Sequence, residues 1–105
     1  MFSIGLCMKV RPGCYAEYKK AHDNLWPELA KSMEVNNVSI AIYRFEDHLF
    51  VHALAPTEKD WEKSRNGDVG EHWHEYMAKL LETDADGTII FHVLPEAFAF
   101  GMFKT

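Results

Sequence analysis

Tyr18 and His22 are the two side chains of this sequence whose types and spacing most directly suggest chemistry. They lie four residues apart in a segment with helical periodicity, so their side chains stack on one face of a helix. An imidazole changes its protonation state near neutral pH, which makes His22 a candidate general acid or base. The competing interpretation is a buried, hydrogen-bonded histidine, with Tyr18 covering the core beside it.

A second group of aromatic and polar side chains occupies the stretch HWHEYM, residues 72–77, which contains Trp73 and His74. A helix of this composition presents a flat apolar surface beside polar groups. Sugars bind such surfaces well, because their C–H faces lie on aromatic rings while their hydroxyls form hydrogen bonds. Trp73, like Trp26 in the stretch HDNLWPEL, also has an ordinary interpretation as a core or interface aromatic.

The six histidines do not form a pattern typical of a metal site. His72 and His74 would point in nearly opposite directions on a helix, and His48 and His52 would lie about 13 Å apart along a strand. The sequence has no nucleophile elbow, phosphate-binding loop or dinucleotide fingerprint. We therefore predict no metal and no cofactor.

The elements that must position these residues follow from hydrophobic periodicity. Pro27 cannot donate a backbone hydrogen bond, so it divides one long helical pattern into two pieces that meet near Trp26. The predicted elements are a strand over 2–10, helical pieces within 15–35, strands over 38–45 and 48–55 joined as a hairpin, helices starting at Thr57 and Asp68, and one or two closing strands from IIFHVL and AFAFGMF.

This order predicts an α+β fold, the ferredoxin-like βαββαβ arrangement, in a single domain over 1–105. Such a domain has an antiparallel sheet with its helices on one face. Apolar side chains occur on both faces of the predicted strands, so the face without helices is expected to meet a second copy of the chain. We therefore predict a homodimer.

Charge and composition exclude several classes of partner. The chain is 48% hydrophobic and carries a formal net charge of −5, with no long basic run. Nucleic acid and anionic membrane surfaces are therefore not expected as partners. The N-terminal stretch MFSIGLCMKV lacks the features of a signal peptide, so a cytoplasmic location is expected. Cys7 and Cys14 would then remain thiols.

Four stretches together resemble the L-rhamnose mutarotase family: YAEYKKAH, HDNLWPEL, AIY and DVGEHWHEYM, in the same order and with nearly the same spacing over about residues 4–82. The resemblance implies a dimeric α+β barrel of ferredoxin-like subunits. It also implies an enzyme that interconverts the α and β anomers of a 6-deoxy sugar without a cofactor.

The resemblance also implies roles for particular residues. His22 matches the proton-donating histidine of the family, Tyr18 a substrate-binding tyrosine, and Trp73 the first of two adjacent substrate-binding tryptophans. Two positions depart from the pattern: His74 stands at the second tryptophan, and Ile40 stands where the family has a binding tyrosine. Both departures fall among the sugar-contacting positions, so they concern the identity of the substrate.

The resulting hypothesis is a mutarotase for L-rhamnose or L-fucose, with His22 as the general acid or base. Trp26 and Tyr43 complete the predicted substrate-binding set with Tyr18, Trp73 and His74. The second proton-transfer group stays open among four residues, Asp23, Glu28, Tyr43 and His52. Two alternatives have the same fold: a cofactor-free small monooxygenase of the dimeric α+β barrel type, and a non-catalytic module that binds a small ligand.

Overall fold

The computed structural model describes residues 1–104 of the 105-residue chain. Within that range it has four strands, four α-helices and a final single 3₁₀ turn. In chain order the elements are β1 (Phe2–Lys9), α1 (Tyr15–Asp23), α2 (Pro27–Val35), β2 (Ser39–Phe45), β3 (His48–Ala55), α3 (Glu58–Arg65), α4 (Asp68–Leu80), β4 (Phe91–Val93) and the turn Gly101–Phe103.

The four strands form one antiparallel sheet in the order β2-β3-β1-β4. β1 connects to β2 through α1 and α2, and β3 connects to β4 through α3 and α4. The two strands of each connection run parallel, and one central strand of opposite direction lies between them. This is the strand order of the split β-α-β motif. The predicted ferredoxin-like α+β fold is confirmed.

The helical break around Pro27 lies where the sequence predicts it. Trp26 has extended backbone angles, φ −57° and ψ 129°, and Pro27 is the first residue of α2. Proline is well tolerated there, because the first amide groups of a helix have no partner within the helix. The connection between α1 and α2 therefore needs only three residues.

The second helical pair also begins at the predicted positions. Thr57 caps α3, because its Oγ1 accepts a hydrogen bond from the backbone N–H of Asp60 at 3.2 Å. Gly67 adopts φ 92°, a left-handed conformation that glycine adopts without a steric penalty, and α4 starts immediately after it. The chain thus turns from α3 into α4 within two residues.

One face of the sheet packs against the helices. The register places Leu6 beside Val51 and Met8 beside Leu49 on that face. Tyr18 of α1 and the α4 residues Met77 and Leu80 are buried against Leu49, whereas Trp61 of α3 is buried against Leu6 and Val51. The core is thus divided into two adjoining clusters, one packed by residues of α1 and α4 and the other by Trp61 of α3.

The opposite sheet face carries no helix. Tyr43 and Phe50 lie side by side on it, followed by Phe45 and His48 in the next pair. The C-terminal segment crosses part of this face, where the Phe103 ring lies 4.9 Å from the His52 ring.

The closing strand is shorter than the apolar sequence suggests. Of the two stretches expected to close the sheet, IIFHVL forms β4 over three residues, and AFAFGMF forms no strand. Pro95 lies two residues beyond the end of β4 and has no backbone donor, so it cannot extend the ladder. Part of the apolar C-terminal segment therefore remains exposed, including Phe98 and Phe100.

No helix in the described part of the chain is long and apolar enough to cross a membrane. The cytoplasmic location stays a prediction.

Candidate active site

A cavity of about 1090 Å³ lies between the helices and the inner face of the sheet. This volume is slightly above the usual range for small-molecule sites. The residues that line it come from all four helices, all four strands and some of the segments that connect them. Five of the six site residues predicted from the sequence lie along its walls or rim: Tyr18, His22, Tyr43, Trp73 and His74.

His22 is held in this cavity in a defined tautomer. It is half-buried in the last turn of α1, and its Nδ1 lies 2.7 Å from the backbone oxygen of Tyr18. A carbonyl oxygen can only accept a hydrogen bond, so Nδ1 carries the proton and donates it. In the neutral ring Nε2 is therefore the unprotonated nitrogen, with a lone pair that can take a proton.

Burial decides the protonation state of His22. Desolvation lowers the pKa of the imidazole below its usual value near 6.5, because the charged form loses hydration. The bond to the Tyr18 carbonyl and the charge of Asp23 act in the opposite direction but do not cancel this effect. The ring is therefore mainly neutral at pH 7, which makes it a base before any ligand binds.

Two aromatic rings hold the imidazole in place. The Tyr18 ring lies 4.2 Å from the His22 ring, and the Trp73 ring meets it edge-on at 5.1 Å. Burial strongly raises the pKa of the Tyr18 phenol, so its hydroxyl keeps its proton and can act as a hydrogen-bond donor or acceptor. The arrangement brings a base, a hydroxyl and a flat indole into one cavity.

Trp26 lies behind this group rather than in the cavity. Its ring packs edge-on against Trp73 at 5.0 Å and stacks on Tyr76 at 6.1 Å. It borders a separate, shallower depression on the outer side of α1 and α4. The structure therefore places Trp26 as a support for Trp73, and not on the wall that a ligand in the cavity would touch.

Tyr43 lies at the rim of the cavity on the edge strand β2. Its neighbours Ile42 and Arg44 are on the side of the helices: Ile42 packs against the core, and the Arg44 guanidinium lies 3.9 Å from the centre of the Tyr15 ring. Because side chains alternate along a strand, the Tyr43 side chain is on the opposite face, beside Phe50. The structure does not bring it together with His22.

The other candidates for a second proton-transfer group either lie away from His22 or already form hydrogen bonds with another side chain. His52 is on the open sheet face, with Nε2 3.1 Å from Ser3 Oγ. Glu28 is exposed in the first turn of α2 and does not line the cavity. Asp23 does line it, but both of its carboxylate oxygens accept hydrogen bonds from Lys19 Nζ, at 3.0 and 3.1 Å.

Sequence reasoning missed a second aromatic wall, formed by Trp61 and Arg65 of α3. The Arg65 guanidinium lies 4.8 Å from the centre of the Trp61 ring, and both residues line the cavity. Partial desolvation lowers the pKa of Arg65, although the residue as a whole remains exposed. The signal was present in the stretch WEKSR, because a four-residue spacing places both side chains on one helix face.

In residues 1–104 no three or more His, Cys, Asp or Glu side chains are grouped so that they could hold a metal ion.

Comparison with known proteins gives consistent matches over most of the chain. Residues 3–100 match the family model for L-rhamnose mutarotase. An L-rhamnose mutarotase from Shouchella clausii is 34% identical over 94 residues, which cover 87% of this chain and 90% of that protein. An L-rhamnose mutarotase from Tolumonas auensis is 28% identical over 101 residues, covering 93% and 97%.

A solved structure matches as well. The crystal structure of an L-rhamnose mutarotase from Formosa agariphila superimposes with a TM-score of 0.79 and 26% sequence identity. The match covers 96% of this chain and 100% of that one. Sequence and fold thus point to the same group of proteins.

Proposed function

The chain belongs to the L-rhamnose mutarotase family, and from that premise we propose that it interconverts the α and β anomers of a 6-deoxyhexose. The family and the class of enzyme, an isomerase acting on carbohydrates, agree with the expectation from the sequence and are confirmed. The relatives favour this function over the monooxygenase and the binding module that the fold alone would allow.

The observation that carries the proposal is a neutral imidazole in a cavity with one nitrogen free to exchange a proton. Mutarotation opens the pyranose ring: the anomeric hydroxyl loses a proton, the C1–O5 bond breaks, and O5 gains a proton. Rotation about C1–C2 and reclosure then give the other anomer. His22 Nε2 is suited to take the anomeric proton, because Nδ1 is already engaged with the Tyr18 carbonyl.

The neighbours of His22 have the properties that sugar binding needs. The Trp73 indole offers a flat surface for the C–H face of a pyranose, and its edge-on contact with Trp26 keeps the ring from rotating. The Tyr18 hydroxyl can orient one sugar hydroxyl. A positioned base typically contributes 10²–10⁴-fold to a proton transfer, and sugars already exchange anomers slowly in water. An elaborate catalytic apparatus is therefore unnecessary.

The two candidate substrates, L-rhamnose and L-fucose, differ at C2 and C4. The similarity to L-rhamnose mutarotases favours L-rhamnose. His74 favours L-fucose as an alternative, because a polar side chain beside Trp73 can bind a hydroxyl in a different orientation. The two sugars are therefore the first pair to compare.

Saturation-transfer NMR tests the proposed activity directly. The anomeric proton of one anomer is saturated, and the loss of intensity at the other anomer measures their exchange. With the protein present, we expect faster exchange for L-rhamnose or L-fucose than for L-mannose and L-galactose, their counterparts with a hydroxyl on C6. No acceleration for any of the four sugars would contradict the proposed function.

We also propose that two copies of the chain pair through their open sheet faces. Tyr43 is 68% exposed and Phe45 66% exposed on this face, and Phe98 and Phe100 are exposed on the C-terminal segment. Large apolar side chains in such a cluster are unusual on a monomer surface. A two-fold axis would bury the same patch from both copies.

Phe45→Glu is expected to dissociate this dimer. Burial of a phenylalanine stabilises by about 1.5–3 kcal/mol, and the substitution occurs twice across a two-fold interface. The dimer Kd should therefore rise by more than about 10²-fold, as measured by sedimentation velocity over a concentration series. Val35→Glu is the matched control, because Val35 is 64% exposed but lies on α2. Equal dimer masses for both variants would place the interface elsewhere.

A further inference from the structure

We propose that Tyr76 is a positioning residue of the site: its ring, anchored by Glu17, holds the Trp73 indole in the orientation that the sugar meets. This inference rests on the proposed mutarotase function. It extends the site beyond the cavity wall, because Trp73 lines the cavity and Tyr76 does not. Tyr76 would act on the sugar only through Trp73.

The Trp73 indole contacts three other rings. The centre of the His22 ring is 5.1 Å away, that of Trp26 5.0 Å and that of Tyr76 6.0 Å. Each of the three rings is turned by between 78° and 84° from the indole plane. Edge-to-face pairs at these distances have the geometry that aromatic rings prefer. The orientation of Trp73 therefore depends on all three neighbours.

Two of these neighbours lie on the side of Trp73 away from the cavity. Trp26 and Tyr76 are half-buried and border the depression on the outer side of α1 and α4. Their rings are nearly parallel, with an angle of 13° and a centre-to-centre distance of 6.1 Å. Tyr76 is also three residues after Trp73 on α4, a spacing that makes the two side chains neighbours on the helix surface. Trp26 and Tyr76 thus support the indole from behind.

Glu17 fixes the position of the Tyr76 ring. The Tyr76 hydroxyl donates a hydrogen bond to Glu17 Oε2 at 3.0 Å. This bond raises the pKa of the Tyr76 phenol above its ordinary value, so the hydroxyl remains a donor at neutral pH. Glu17 lies on α1, the helix that also carries His22. The bond therefore connects the helix of the base to the helix of the indole.

The backbone of α4 is held by other contacts, so it does not depend on Tyr76. Arg11 Nε donates to the backbone oxygen of Leu81 at 2.8 Å, just beyond the last turn of the helix. At the other end, Gly70 packs so closely on the backbone of Arg65 that a Cβ atom would overlap it. Removal of the Tyr76 side chain should therefore change the freedom of the Trp73 ring more than the position of α4.

The two roles of the site respond differently to this change. The tautomer of His22 is set by a hydrogen bond within α1, to the backbone oxygen of Tyr18, and Tyr76 takes no part in it. Proton transfer should thus persist when Tyr76 is replaced. The contact of the sugar with Trp73 should weaken in the ground state and the transition state alike, which raises KM and leaves kcat unchanged.

Tyr76→Leu tests the inference, with His72→Gln as the control. We expect Tyr76→Leu to raise KM for the sugar by about 2–10-fold, the loss of one or two ring contacts, with kcat nearly unchanged. Tyr76→Phe keeps the ring and should have a smaller effect. His72 is exposed four residues earlier on α4 and borders neither depression nor cavity, so His72→Gln should keep KM. A merely structural role of Tyr76 would instead lower the active fraction, and hence the apparent kcat, at unchanged KM.

The indole N–H resonances in ¹H–¹⁵N NMR spectra provide a second measurement. Trp61 is buried in the other core cluster and serves as the internal reference. Tyr76→Leu should shift or broaden the signals of Trp26 and Trp73 and leave that of Trp61 unchanged. An unchanged KM in Tyr76→Leu, or a raised KM with an unchanged Trp73 signal, would overturn the inference.

If Tyr76→Leu did not fold, Tyr76→Phe and Glu17→Ala would decide the question, because both remove the same hydrogen bond. Each should raise KM slightly, and the double variant should raise it no further. An unchanged KM in both single variants, or fully additive effects, would contradict the proposal. In every case an active unaltered protein leaves the proposed function intact, whereas an unaltered protein inactive on all four sugars would remove both.

Discussion

His22→Asn is expected to lower the rate of enzyme-catalysed anomer exchange by about 10²–10⁴-fold while the fold stays intact. The asparagine side-chain amide can reach the place of Nδ1 and still donate to the backbone oxygen of Tyr18, which the imidazole contacts at 2.7 Å. The substitution leaves no group in the place of Nε2. It therefore separates the structural hydrogen bond of the histidine from its capacity to take a proton.

The measurement is anomer exchange by NMR together with thermal unfolding of the same samples. His72→Gln again provides a control for the loss of an imidazole at an exposed position. If His22→Asn lowered the free energy of unfolding by several kcal/mol, the result would support the interpretation of His22 as a core histidine. If it kept the full rate with an unchanged melting temperature, His22 would not be the base.

Gly70→Ala is expected to destabilise the protein by about 1–3 kcal/mol, a cost typical of overpacking, even though alanine is the better helix former by about 1 kcal/mol. A Cβ atom at Gly70 would overlap the backbone oxygen of Arg65 and lie 2.7 Å from its carbonyl carbon. These are main-chain atoms, so they cannot move aside as the end of a flexible side chain would. Relief requires α3 and α4 to separate.

Thermal or denaturant unfolding checks this expectation, and Gly5→Ala is the control. Gly5 has no positive φ, and a Cβ there would make ordinary contacts of 3.7 Å with Leu94. Gly5→Ala should therefore change stability much less than Gly70→Ala. Because α4 carries Trp73 and His74, Gly70→Ala should also lower mutarotase activity at temperatures where it remains folded. A Gly70→Ala protein more stable than the parent would contradict the close packing of α3 on α4.

Local periodicity predicted most of the elements of the fold. The alternation over 2–10 gave β1, and the two halves of the hairpin gave β2 and β3. Pro27 marked the division between α1 and α2, because the effect of proline on a helix depends only on neighbouring backbone groups. The pairing of Tyr18 with His22 followed from helical spacing for the same reason.

The sequence alone could not show which aromatic residues face the cavity and which face outward. Trp26 and Trp73 are in contact, but only the packing of α1 against α4 decides that Trp73 faces the cavity and Trp26 the outside. The orientation of Tyr43 could not be predicted for a similar reason, since the inward face of β2 is set by its pairing with β3. Arg65 lines the cavity, and its backbone lies where α3 closely approaches α4 at Gly70.

His22 Nδ1 donates its hydrogen bond to the main-chain oxygen of residue 18. The backbone and the side chain of this residue therefore have separate roles. Any residue there that keeps α1 helical supplies the same carbonyl, so the hydrogen bond that sets the His22 tautomer survives exchange of the Tyr18 side chain. Evolution could thus vary the side chain at position 18 to suit a new sugar and keep the hydrogen bond that sets the tautomer of the base. Contact with the sugar and the tautomer of the base thus depend on different atoms of one residue.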